Sequence, residues 1–194
     1  MILGILVTLI AIFLLRVFRL FLSRFSNRTF NDVIPYLRPD HAEQLQEVLN
    51  RDLEGHLASN LGQHQFRQTQ LKRIGLAQEY IGRRTHNVTI LQEWGDTEGG
   101  KTRVTFNRDV RSAADKLVVR CAEFRIGASA VQSQLHIWHF KMKLLPSTRV
   151  PYISRLRRVD SFDLLESYEE IKEAALKLAE VCGGDYHERL ASTL

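Results

Sequence analysis

Residues 107–145 read "NRDVRSAADKLVVRCAEFRIGASAVQSQLHIWHFKMKLL", and two periods compete over them. In heptads, Val110, Leu117, Phe124, Val131, Trp138 and Leu145 share one seam position, while Ala114, Cys121, Ala128, Leu135 and Met142 share the other. All are apolar or small. In strands, "WHFKMKL" alternates well, but "VVRCAEFRI" sets Arg120 among apolar positions and "GASAVQSQ" has no Asn-Gly, Asp-Gly or Pro to turn a hairpin. The heptad explains more residues with fewer exceptions. Its 3.5-residue spacing predicts a long helix with a continuous packing seam, ended by Pro146 and Pro151 and lying antiparallel against earlier helices.

Those earlier helices follow from the same periodicity. Asp40 and Glu43 form a capping-box pattern, after which Leu45, Val48, Leu49, Leu53, Leu57 and Leu61 recur every three or four residues up to Gly62. A second segment carries Phe66, Leu71, Ile74, Ile81, Val88 and Leu91 at helical spacing, although Gly75 and Gly82 each lower helix propensity by about 1 kcal/mol relative to Ala. "GDTEGG" at 95–100 predicts a break. Its flanks suit a hairpin as well as two helix ends, which keeps an α+β alternative with strands at 86–107 and 117–145. The last helix, capped by Asp160 or Ser161, repeats Leu164, Tyr168, Ile171, Ala175, Leu178 and Cys182 and stops at Gly183 and Gly184.

The N-terminus is of another kind. Ile2 to Leu15 is uncharged but spans only about 21 Å as a helix; extension to Leu22 gives about 32 Å, enough for a bilayer core if Arg16 and Arg19 reach the interface. A secretory signal is disfavoured: no positive residue precedes the apolar run, and no small-residue cleavage site follows it. The segment predicts a transmembrane anchor at 1–25, a linker at 26–39 containing Pro35 and Pro39, a helical domain at 40–185 and a tail at 186–194. The arginines that follow the run put the N-terminus outside and the domain in the cytoplasm of a single-pass cell-membrane protein. The predicted fold class is mainly α, an anchor followed by an antiparallel bundle of about four helices. Cys121 and Cys182 have no CxxC spacing and read as reduced thiols.

The net charge of +5 is unevenly spread. Residues 139–158 hold Lys141, Lys143, Arg149, Arg155, Arg157 and Arg158 without an acid, whereas 159–194 is strongly acidic. Positive charge beside the apolar segment and in one later loop favours a membrane surface over a nucleic-acid groove, so Arg16, Arg19, Arg149, Arg155, Arg157 and Arg158 are candidate lipid contacts. The competing reading pairs the loop arginines with the acidic segment that follows.

Catalytic signals are sparse. No Gly-x-Ser-x-Gly, Walker loop, dinucleotide fingerprint or His-Glu-x-x-His occurs. His136 and His139 lie one helical turn apart without a third ligand nearby in sequence, so solvated or hydrogen-bonded histidines are expected. Cys121 sits on the seam and reads as core. Arg67, Lys72, Arg73, Arg83 and Arg84 read as a solvated helix face, and the sequons at Asn27 and Asn87 as chance matches. The chain is therefore expected to be a membrane-anchored interaction or scaffold protein with a protein partner and no cofactor. An enzyme with a site near His136 and His139 is the alternative, and nucleic-acid binding ranks third.

Overall fold

The computed structural model describes residues 29–40, 42–145, 150–159 and 162–194, without the side chains of 103–105. Among the described residues the order is α1 Phe30–Val33, α2 Ala42–Val48, α3 Arg51–Asn60, α4 Gln63–Thr105, α5 Arg108–Leu144, α6 Leu164–Cys182 and α7 Tyr186–Ala191. Short 3-10 helices run over Ile34–Tyr36 and Ile153–Arg157, and β1 Arg158–Val159 pairs antiparallel with β2 Phe162–Asp163.

A hairpin of two long helices dominates. α4 has 43 residues and α5 has 37. The turn between them is tight: Phe106 takes a left-handed conformation with φ 54°, its N–H donates to Thr102 O, and Asn107 Oδ1 accepts from Asp109 N and Val110 N. The expected break at 95–100 and the strands of the α+β alternative are corrected here, because helix α4 runs through "GDTEGG" to Thr105. Two of its three glycines, Gly95 and Gly99, face α5, while Gly100 has open space around it. A Cβ at Gly95 would stand 3.1 Å from Val118 and 3.4 Å from Leu117, and one at Gly99 would stand 3.5 Å from the Ala114 Cβ. Close approach of two helices outweighs local helix propensity.

The heptad seam is the inner face of α5. Val110, Ala114, Leu117, Cys121, Phe124, Ala128, Val131, Leu135 and Met142 are all buried. Trp138 is half-buried and Leu145 is exposed. A straight helix drifts by about 20° per heptad, which carries these late seam positions off the contact line.

Helix α6 packs on α5 and buries Leu164, Tyr168, Ile171, Ala174, Ala175, Leu178 and Ala179. Its N-cap is Asp163, whose Oδ1 accepts from Leu165 N at 3.0 Å and Glu166 N at 3.2 Å; the expected caps Asp160 and Ser161 lie outside the described residues. Gly183 and Gly184 end the helix at φ 81° and 71°, as the sequence predicts. The expected linker contributes core instead: Phe30, Val33 and Leu37 are buried, with Phe30 stacked on Tyr186 of α7 and edge-on to Trp94 of α4. The first predicted helix is two helices, α2 and α3, because Asn50 Oδ1 accepts from Asp52 N and Leu53 N and starts a new one.

The anchor expected at 1–25, with Arg16 and Arg19, lies outside the described residues. Among the described residues no helix is long and apolar enough to cross a membrane. α4 and α5 have the length, but charged side chains recur along both. The fold class is corrected on this finding to a helical one, with no transmembrane helix among the described residues. The single-pass, N-terminus-outside cell-membrane placement is withdrawn with it.

Candidate functional site

Two buried polar ties fix the segments that flank the helical hairpin. In the first, Glu54 of α3 is fully buried and its carboxylate accepts from Gln70 Nε2 at 2.5 Å, Ile153 N at 2.7 Å and Ser154 N at 3.0 Å. Arg73 Nη1 stands 3.7 Å from the same carboxylate, while Arg73 Nη2 donates to Val48 O at 2.5 Å. Burial lowers the pKa of Arg73, and Glu54 and then Glu47 oppose the shift. Glu54 therefore acts as a remote cap for the 3-10 helix Ile153–Arg157, nearly a hundred residues away.

That helix presents the loop arginines to a cleft of about 960 Å³, which they share with Arg51 and Asp52 of α3. Asp163 receives Arg158 at 3.3 Å and Arg157 at 3.9 Å, and Arg155 lies over the Tyr152 ring at 5.9 Å. Arg51 and Arg155 take no ion pair among the described residues. Of the six candidate lipid contacts, the structure brings Arg155, Arg157 and Arg158 together; Arg16, Arg19 and Arg149 lie outside the described residues. The pairing of loop arginines with the following acidic segment is realised at Asp163.

In the second tie, Arg84 meets Asp40 with two bonds, Nε to Oδ1 at 2.9 Å and Nη2 to Oδ2 at 3.1 Å, both side chains being buried. The guanidinium lies 4.5 Å from the centre of the Tyr168 ring. Asn87 donates to Tyr168 Oη and to Arg38 O, and accepts from Arg38 N. Burial raises the Tyr168 phenol to about 12. These contacts correct the solvated-face reading for Arg73 and Arg84, which are 6 % and 2 % exposed. The Asn87 sequon is buried with its amide engaged.

The candidate chemical residues sit apart. His136 is exposed and bonded through Nδ1 to Gln132 O. His139 is half-exposed, its pKa lowered by burial and then by Lys143 and His136. Among the described residues no three His, Cys, Asp or Glu side chains converge on a metal position. Cys121 is buried, and burial pushes its thiol pKa up, as the core reading expects; both cysteines are free.

A surface that the heptad reading passed over lies on the outer side of α5. Val119, Ile126, Ile137, Phe140 and Leu144 are 55, 75, 47, 65 and 59 % exposed. At 100° per residue they fall, with Ala130 and Ser133, within about 80° of one another and opposite the buried seam. Helix α5 is thus apolar on two faces. No protein-family model, curated protein or solved structure matches the chain.

Proposed function

We propose that the protein is a non-catalytic interaction module that engages a protein partner through the outer face of α5. One observation carries this reading: five large apolar side chains, each about half exposed or more, align along one outer face of α5, the side on which a helix of a globular protein ordinarily carries polar residues. The interaction surface is preferred to a catalytic site at His136 and His139 because His136 is exposed with its Nδ1 bonded to Gln132 O on its own helix. The experiment is chemical crosslinking in cells of the wild-type chain beside Ile126→Glu and Phe140→Glu. Crosslinked species lost in both variants, with the circular dichroism spectrum unchanged, support the module. The same crosslinks in all three chains contradict it.

A second reading rests on Arg51 and Arg155, which face a cleft without a carboxylate partner and are suited to an anionic group. Inorganic phosphate should shift the amide resonances of Arg51 and Ser154. The response should disappear in Arg51→Gln/Arg155→Gln.

A further inference from the structure

We infer that the partner on the outer face of α5 is a second copy of this chain, docked antiparallel so that the two outer faces form a two-fold interface. This rests on the reading that the face is an interaction surface, and names its occupant. The stripe runs from Val119 to Leu144, about 38 Å of helix, and it is self-complementary. Reversing a second α5 against it in one register sets Ile126 opposite the partner's Ile137, and Val119 opposite the partner's Leu144.

In that register Ala130 meets the partner's Ser133, so small residues occupy the middle, where helix axes must approach to about 8–10 Å. A two-fold axis across two antiparallel helices brings like flanks together. Glu123 and Lys141 lie on the same flank of the stripe, both exposed, so each Glu123, which also receives Arg120 of its own helix at 3.0 Å, faces the partner's Lys141. On the opposite flank, Phe140 reaches over the small partner's Ala122. Apolar positions, small central residues and flanking charges agree on one register, the consistency that specifies pairing in helical interfaces. A parallel pair loses the charge match, because it apposes opposite flanks.

Sedimentation of the full-length chain tests this through charge complementation. The wild-type chain should run at twice its 22.4 kDa. Ile126→Glu and Ile137→Lys, both at exposed positions, should each run at the single-chain mass with an unchanged circular dichroism spectrum. Their equimolar mixture should return to twice that mass, since the new Glu at 126 of one chain then meets the new Lys at 137 of the other. A dimeric wild type whose variants stay single when mixed overturns the antiparallel register. A wild type at the single-chain mass overturns the second copy. In that event the crosslinking comparison decides separately whether the face binds another occupant, the chain's own apolar residues 2–22 included: crosslinks lost in Ile126→Glu keep the interaction reading, and unchanged crosslinks overturn both.

Discussion

Phe162 lies directly on the backbone of Gly127: a Cβ built at residue 127 would stand 2.5–2.6 Å from carbons of the Phe162 ring. The glycine in the middle of α5 makes the seat for β2, and Phe162 then packs edge-on to Phe124, which contacts Tyr168. This contact also positions Asp163, which caps α6 and receives Arg157 and Arg158.

Gly127→Ala should destabilise the fold by about 1–3 kcal/mol, since overpacking outweighs the helix propensity gained. Gly75→Ala and Gly82→Ala make the opposite prediction. Nothing lies within 4 Å of either Cβ position on α4, so each should stabilise by up to about 1 kcal/mol. Urea denaturation of the three variants checks both signs.

Glu54→Ala leaves two amides without their acceptor and the buried Arg73 without its carboxylate. The expected loss is about 3–5 kcal/mol, in the range for breaking a buried pair. Amide exchange at Ile153 and Ser154 should accelerate in this variant more than exchange in α6. A loss below about 1 kcal/mol would mean that Glu54 is not what holds the 3-10 helix.

Alkaline titration reads the second tie. The Tyr168 phenol is neutral in the fold up to about 12, against about 10 in the unfolded chain. Its contribution to stability is fully present below pH 10 and is lost as pH rises to 12, by about 2–3 kcal/mol. Cys121, whose thiol is also pushed up by burial, adds to the alkaline loss from about pH 8.5. Tyr168→Phe should cost about 1 kcal/mol at neutral pH through the Asn87 hydrogen bond, and should flatten the fall between pH 10 and 12. An unchanged alkaline profile would contradict the assignment.

How far the sequence disclosed this structure differs from element to element. The seam of α5 was legible because nine buried positions repeat at helical spacing, and the end of α6 because Gly183 and Gly184 take conformations that other residues avoid. The break at Asn50 was hidden, since the leucine pattern runs on across it into α3. "GDTEGG" misled because Gly95 and Gly99 answer to neighbours on α5 and not to a turn. Arg73 and Arg84 read as a solvated face, Asp40 as a helix cap, and Glu54 carried no signal, because the partners of these four lie 16 to 100 residues away, beyond any local pattern. The strand-like alternation of Trp138, Phe140, Met142 and Leu144 has a specific cause. A helix apolar on two opposite faces places Met142 inward and Phe140 and Leu144 outward, and the two faces interleave as a period of two.

The central claim, that the outer face of α5 is covered by a partner at work, is tested most directly by thiol labelling in intact cells. Ile126→Cys on the stripe is compared with Glu173→Cys on the exposed side of α6, each normalised to its rate in the denatured chain. A covered face predicts that position 126 labels at least about tenfold more slowly than position 173, the ratio that corresponds to about 1.4 kcal/mol of protection, and that Phe140→Glu restores its rate. Equal labelling of the two positions in the otherwise wild-type chain would contradict the claim.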